Sequence, residues 1–312
     1  MPGLDVTFPT TSPHLLRDAA DGSAPAIEGR GQLFLPEGGA QGGPGVVILP
    51  GLGGIVETRE PRYGKMLAAH GYTVLACDSF GARGAASASL MRRALTVTEA
   101  MMAADAYAGL SHMAARHGVD PARVAVLGFS YGGLSAVLLA YEQVARLFAP
   151  AGAPRLAAHV SYYGCSVARL AEPRTTGAPV RLAVGDQDRN VDLEHVRAIA
   201  GDLRRGGSEV ELDVYPGVYH QWDSNHTTRR RVRPSPHRLR LVVELDNHIR
   251  DGRTGLPVRS PAARALAITA YADVRGYDLL RDEAAFARAD ASLVEFLGRA
   301  LGAPGRAGLA AE

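Results

Sequence analysis

The chain is poor in several features that would organise a protein by themselves. Only two cysteines, Cys77 and Cys165, occur in 312 residues. Two are too few for a disulfide framework, and neither belongs to a CxxC pair. Each lies in or just after an apolar run, where a cysteine serves as a small buried hydrophobe. Lys65 is the only lysine. The other basic residues are arginines, which beside the abundant alanine reads as coding bias rather than as a ligand signature. No run of about 18 apolar residues is present, so no transmembrane helix is expected. The start, MPGLDVTFPTT, has no basic segment followed by a long apolar stretch, so no secretory signal is expected and a cytoplasmic location follows by default. The formal net charge is only +2, which gives no general field for nucleic acid. There is no HExxH, no Cys/His cluster and no regular carboxylate spacing, so neither a metal nor another cofactor is implied.

What is present is an ordinary globular composition, 46% hydrophobic and 21% charged, in a chain long enough to bury a sizeable core. Short apolar runs alternate with helical stretches. Gly45–Leu49, Tyr72–Ala76, Val124–Leu127, Ala158–Tyr162, Val180–Val184 and Val210–Val214 read as buried strands. Helices are expected over about Glu57–His70, Thr96–His117, Tyr131–Leu147, Leu193–Arg205 and Glu283–Leu301. That alternation predicts an α/β fold: a mostly parallel central sheet flanked by helices, with the loops after the strand ends gathered on one edge. Residues 1–25 read as mixed and turn-rich, and residues 303–312 as a loose tail. Residues 221–275 break the rhythm. They are read as an insertion or lid within a single domain spanning 1–312, with two strands that could form a small hairpin.

The segment from Val124 to Gly133 carries G-x-S-x-G, with Gly128, Ser130 and Gly132 in the fixed places. Composition alone yields about 0.2 such matches by chance, so the bare motif decides little. Its position does: it ends an apolar strand and opens a long helix. A strand that doubles back into a helix without a spare residue lifts its serine out of the sheet edge, and side chains at the flanking glycines would clash.

A serine hydroxyl needs a base, and the base needs an orienting partner. On a parallel sheet with such an elbow the chain order is serine, acid, histidine. Two acids follow the strand Val180–Val184, in Gly185-Asp-Gln-Asp188, and His220 follows the strand Val210–Val214. Asp186 and Asp188 compete. By analogy with such loops the second acid turns inward, which favours Asp188 as the catalytic acid and leaves Asp186 as a turn residue. Among ten histidines, His220 has the right order and loop, and His226 is its near rival. The oxyanion of an acyl-transfer intermediate needs two N–H donors. Tyr131, directly after the serine, offers one. The glycine-rich loop Pro50-Gly-Leu-Gly-Gly54 offers the other, assigned to Leu52. This loop lacks a following GK[ST], which argues against phosphate binding.

On these residues the chain resembles the dienelactone hydrolase family of the α/β-hydrolase fold. The resemblance runs from about Gly45 to His220 and resumes in the final helix. It rests on Asp78-Ser-Phe-Gly-Ala-Arg-Gly84, Asp120-Pro-Ala-Arg123, the elbow, Tyr162-Tyr-Gly164, Gly185-Asp-Gln-Asp188 and Tyr219-His220. It implies Asp188 over Asp186, and it places Arg83 where the family has an arginine that grips a substrate carboxylate. The alternative role for Arg83 is a loop salt bridge with Asp78 or a contact with a helix end. The chain departs from the family in three places. Dienelactone hydrolases use a cysteine nucleophile where this chain has Ser130. They carry a second arginine shortly after the histidine, where this chain reads Gln221-Trp-Asp-Ser224. They also lack the 221–275 insertion.

Trp222 is a candidate pocket wall and equally a candidate core residue. Arg229, Arg230, Arg231, Arg233, Arg238 and Arg240 crowd the insertion, as a docking patch or as a solvated face. Three functions are compatible with the sequence: hydrolysis of an ester, lactone or thioester; a cyclase or acyltransferase using the same triad; and a non-catalytic ligand-binding homologue. The expected partner is a small-molecule acyl substrate, with a carrier protein or a homo-oligomer as further possibilities, and with neither nucleic acid nor membrane.

Overall fold

The computed structural model describes residues 3–39, 41–165, 168–235 and 238–302. The proposed tail at 303–312 and His237 lie outside them. The chain opens with β1 (Leu4–Thr11), the short helix α1 (Leu16–Ala20) and β2 (Ala26–Phe34). β1 and β2 run antiparallel with Leu4 opposite Leu33 and Thr11 opposite Ala26. The expectation of a mixed, turn-rich start therefore fails at its first element. The reason is position: β1 is the edge strand of the sheet. It buries only Phe8 and Thr10 and accommodates Pro9, so it lacks the continuous apolar signature of an interior strand.

There follow β3 (Gly45–Leu49), α2 (Glu60–Ala69), β4 (Thr73–Cys77), a 3₁₀ turn at Gly81–Arg83, α3 (Leu90–Thr96), α4 (Glu99–His117), β5 (Val124–Phe129), α5 (Tyr131–Leu138), α6 (Glu142–Phe148), β6 (Ala158–Tyr162), β7 (Ala168–Leu170), β8 (Val180–Gly185), α7 (Leu193–Arg205) and β9 (Val210–Tyr215). Among the described residues the central sheet has eight strands in the order β1-β2-β4-β3-β5-β6-β8-β9. The first two are antiparallel to their neighbours, and the pairs from β4 to β9 are all parallel. This is the α/β-hydrolase architecture.

Helix boundaries depart from periodicity where side chains or neighbouring backbone intervene. Thr98 accepts the Met101 N–H at 3.3 Å and so starts α4 three residues later than the apolar spacing suggests. The stretch from Tyr131 breaks into α5 and α6, because Thr176 N–H donates to the Ala140 carbonyl at 2.9 Å and Glu142 N–H donates to the Arg174 carbonyl at 3.0 Å. A neighbouring segment thus takes the backbone groups that would have continued the helix. α7 begins where expected, since the Asp192 side chain caps it by accepting from Glu194 and His195 N–H.

Residues after His220 form β10 (Arg230–Val232), β11 (Leu241–Val243), β12 (Ile249–Asp251), β13 (Pro257–Val258), α8 (Pro261–Ala270) and β14 (Tyr277–Leu279), before α9 (Glu283–Leu301). The expected hairpin is β11–β12. It is extended by β13 on one side and by β7, from the body of the fold, on the other. A second ribbon pairs β10 with β14, with Arg231 opposite Asp278.

The core lies on both faces of the sheet. Val46 and Ile48 of β3 point to the α2 and α9 side, whereas Val47 and Leu49 point to α4 and α5. α9 buries Ala285, Ala289, Leu293, Leu297 and Leu301 in steps of four, one face of a helix, with Phe296 beside them. Each large side chain of that stripe contributes about 1.5–3 kcal/mol by leaving water.

Candidate active site

Ser130 is the single residue between β5 and α5, and it pays for that position with φ +49 and ψ −107. Such a backbone costs about 1–3 kcal/mol unless its surroundings fix it. They do. Ser130 N–H donates to the Tyr162 carbonyl at 2.9 Å, and Leu134 N–H donates to the Ser130 carbonyl at 3.2 Å. The flanking chain leaves no room for side chains. A Cβ on Gly128 would stand 2.2 Å from the Gly132 carbonyl oxygen, and one on Gly132 2.2 Å from that of Leu49. Gly164 belongs to the same set, since its Cβ would stand 2.3 Å from the Ser130 carbonyl oxygen.

The structure brings Ser130, His220 and Asp188 together. Ser130 Oγ lies 2.9 Å from His220 Nε2, and His220 Nδ1 lies 2.6 Å from Asp188 Oδ2. All three are buried, with His220 fully so. The other oxygen of Asp188 accepts the Asn190 N–H at 2.8 Å, which fixes the carboxylate. Asp186 points away, accepting the Gly217 N–H at 2.7 Å in an exposed turn. The histidine is held from both sides. Its ring stands edge-on to Tyr163 at 5.0 Å and to Tyr277 at 4.9 Å, and its backbone N–H donates to the Asp278 carbonyl at 3.2 Å. Tyr277 and Asp278 belong to β14, so the inserted segment returns to clasp the residue from which it departs. His226 lies on the wall of a neighbouring cavity, and Ser130 Oγ pairs with His220 instead.

Tyr131 opens α5, where the first N–H groups have no partner within the helix. Across from it, Gly54 N–H donates to the Gly51 carbonyl at 2.8 Å. The peptide between Gly51 and Leu52 is thereby locked, and its N–H must point out of the turn. Arg93 donates to the Leu52 carbonyl at 2.8 Å and holds the other side of the loop.

Two cavities meet at Ser130. The larger, about 360 Å³, is walled mainly by apolar side chains, among them Leu90, Met91, Leu134, Val191 and Ile268. The smaller, about 200 Å³, mixes apolar side chains with polar ones, which include Thr58, Gln221, Asn225, His226 and Arg230. Leu52, Leu90, Ser130, Val232 and Tyr277 border both.

Two expected substrate contacts take other places. Arg83 borders neither cavity. Its side chain is 5% exposed and makes a two-pronged pair with Asp105, at 2.8 and 3.0 Å, while also donating to Ser12 Oγ and the Ser79 carbonyl. A guanidinium so engaged has no free edge for a carboxylate; it forms a salt bridge, but with Asp105 of α4 rather than with the expected Asp78. Trp222 is fully buried and stacks edge-on against Tyr163 at 4.7 Å and Tyr215 at 5.1 Å. It belongs to the core beneath the site. The aromatic walls are instead Tyr131, Tyr163 and Tyr277.

Beneath the site lies a polar network that no sequence motif announces. Arg59 pairs with Glu60 at 2.7 Å, both almost inaccessible, and Tyr163 Oη donates to both oxygens of Asp223 at 2.8 and 3.0 Å. Burial pushes the Glu60 and Asp223 carboxyls up, against the pull of Arg59. The insertion's arginines are mostly engaged: Arg231 with Asp278, Arg240 with Asp192, Arg238 with Asp273, and Arg229 with the Tyr219 hydroxyl. Among the described residues no cluster of three or more His, Cys, Asp or Glu could hold a metal ion, and no helix is long and apolar enough to cross a membrane.

Similarity to known proteins bears on the family and the fold. A Yersinia pestis protein that carries the name carboxymethylenebutenolidase is 30% identical over 136 residues, 41% of this chain and 45% of that protein, so the chain spans less than half the length of this curated relative. A dienelactone hydrolase-like promiscuous phosphotriesterase from metagenomic libraries superposes with a TM-score of 0.61 at 22% identity, over 97% of this chain and 100% of that one. Esterase 2 of Thermogutta terrifontis superposes with a TM-score of 0.50 at 19% identity, over 63% of this chain and 81% of that one. At those identities the structures speak for the fold. The family itself is carried by the dienelactone hydrolase family model, which matches residues 30–232. Taken with the elbow, this places the chain in the dienelactone hydrolase family.

Proposed function

We propose that the chain is a serine hydrolase that cleaves an ester, lactone or thioester through an acyl-enzyme on Ser130. The observation that carries the reading is the continuous path from Ser130 Oγ through His220 to Asp188, at 2.9 and 2.6 Å. Ser130 attacks the carbonyl carbon while its proton passes to His220 Nε2. The Asp188 carboxylate keeps the other ring nitrogen protonated and stabilises the imidazolium. The N–H groups of Tyr131 and Leu52 receive the oxyanion. As the intermediate collapses, the leaving group takes the proton from His220. Water then enters by the same base, the acid is released and Ser130 is restored.

A non-catalytic role is opposed by the intact geometry, since a receptor has no use for a strained serine on a buried histidine. The substrate is a small acyl compound. Lactone specificity of the dienelactone kind is not supported, because Arg83 is committed to Asp105. We read 221–275 as a cap over the site rather than a separate domain, and two free buried cysteines fit a reducing, cytoplasmic setting. Esterase 2 of Thermogutta terrifontis is phosphoramylated by tabun, which suggests the assay. The wild-type chain should hydrolyse 4-nitrophenyl butyrate and be labelled by a fluorophosphonate, and Ser130→Ala should lose both. Retained turnover in that variant would sink the reading.

A further inference from the structure

The two cavities at Ser130 differ in chemistry as well as in size. The wall of the smaller one contains no carboxylate among the described residues. It does contain Arg230, on β10, which has no acidic partner there, in contrast to its neighbour Arg231 on the opposite face of the same strand. Strand alternation explains the split. Arg231 pairs with Asp278 on one face of the ribbon, whereas Arg230 and Val232 share the other face, which borders the smaller cavity, with Arg230 at its solvent-exposed rim. His226 stands near enough to Arg230 that burial, and then that guanidinium, lower its pKa from the ordinary histidine value. Arg59 also borders the cavity, but its charge is matched by Glu60. Arg230 is thus the uncompensated charge of this chamber.

Which part of a substrate would enter it follows from the proton's route. The leaving group must depart where His220 can protonate it. The smaller cavity is bordered by Gln221, the next residue in the chain, and by Leu279, whose strand pairs with His220. The larger, apolar chamber then suits the acyl chain.

We propose that the hydrolase is selective for acyl esters or thioesters whose leaving alcohol or thiol carries an anionic group, carboxylate or phosphate, bound by Arg230 in the smaller cavity. The inference rests on the serine-hydrolase reading above. The chemistry is ordinary acyl transfer. The Ser130 Oγ–acyl bond forms, the acyl–oxygen or acyl–sulfur bond breaks, and His220 returns its proton to the departing atom, so no further reactant than water is needed. The anion stays on the leaving group and is released with it.

The test uses two esters of matched size and leaving-group acidity, 3-carboxyphenyl butyrate and 3-carbamoylphenyl butyrate, with the wild-type chain, Arg230→Gln and Arg229→Gln. The wild type should favour the carboxylate in kcat/KM by about five- to tenfold, the worth of one charge-assisted contact in a partly open site. Arg230→Gln should bring the ratio to about one. Arg229→Gln, which removes an equal charge from outside the cavity, should keep it. Raising salt should shrink the wild-type preference. Equal rates on the two esters in the wild type, or a preference that survives Arg230→Gln, would overturn the inference and leave the hydrolase reading intact. Failure of the wild type on both esters and on 4-nitrophenyl butyrate would overturn the hydrolase reading and this inference with it.

Discussion

Arg264, on a helix of the inserted segment, donates a 2.8 Å hydrogen bond to the hydroxyl of Tyr131, the residue directly after the nucleophile. The same guanidinium pairs with Glu99 at 3.0 Å and donates to the Ala94 carbonyl, and Tyr131 Oη in turn donates to the Val97 carbonyl at 2.8 Å. The inserted segment therefore fixes the ring whose backbone N–H is the proposed oxyanion donor. On the proposed reading of 221–275 as a cap, this contact would give it a positioning role as well.

Replacing Arg264 with Met should lower kcat about tenfold with little change in KM, because a displaced donor weakens the transition state more than the bound ester. It should also destabilise the fold by about 3 kcal/mol, since Glu99 is left without its partner. The double variant Arg264→Met, Glu99→Gln removes both charges and should recover most of the stability in a urea titration while kcat stays low. Recovery of both together would make Arg264 merely structural.

The two acids after β8 should separate cleanly by substitution. Asp188→Asn leaves the carbonyl oxygen but disturbs the tautomer of His220, and should reduce kcat on the order of ten-thousandfold. Asp186→Asn retains an acceptor for Gly217 N–H, and should stay within about threefold of the wild type. Steady-state rates on 4-nitrophenyl butyrate decide it, and a comparable loss in both variants would refute the assignment.

Much of this arrangement is legible in the sequence, for physical reasons that can be named. Interior strands such as β3, β4 and β5 are apolar on both faces, so they stand out as continuous runs, and the elbow is forced by the glycines a tight strand-to-helix turn demands. His220 follows from the chain order and the loop after β9, whereas the loop after β8 narrows the acid only to Asp186 or Asp188, and analogy with the family's loops favours Asp188. What escapes is set by tertiary partners. β1 is an edge strand without an apolar signature, and the break between α5 and α6 is imposed by Thr176 and Arg174. Tyr277, 57 positions beyond His220 in the chain, reaches the histidine only because β14 folds back. The role of Arg83 turns on Asp105, which lies 22 residues away on α4 and carries no motif.

Arg83 should then behave as a fold residue. Because it and Asp105 are both nearly buried, losing either partner alone should cost about 3–5 kcal/mol. Arg83→Met combined with Asp105→Leu should cost less than the sum, as a double-mutant cycle of denaturant midpoints will show. KM for a substrate with an acidic acyl group should be unchanged in any of these variants that folds. A selective rise in that KM on Arg83→Met would restore the substrate-binding role implied by the family resemblance.

His159, at the centre of β6, should make the protein sensitive to mild acid. Its ring is fully buried against the Ala136 carbonyl, at 3.0 Å through Nδ1, and burial lowers its pKa to about 4 from the ordinary histidine value of about 6.5. The unfolded chain therefore takes up a proton between about pH 6.5 and 4 that the folded chain refuses, and stability falls as pH drops through that window. At pH 5 the deficit from this residue alone is ~2 kcal/mol relative to neutral pH. The measurement is the urea midpoint at pH 7.5 and pH 5 for the wild type and for His159→Asn, which cannot titrate. The variant starts lower at pH 7.5 because it leaves a cavity, but its loss between the two pH values should be smaller by about that amount. Equal losses in the two proteins would show that His159 does not set the acid limit.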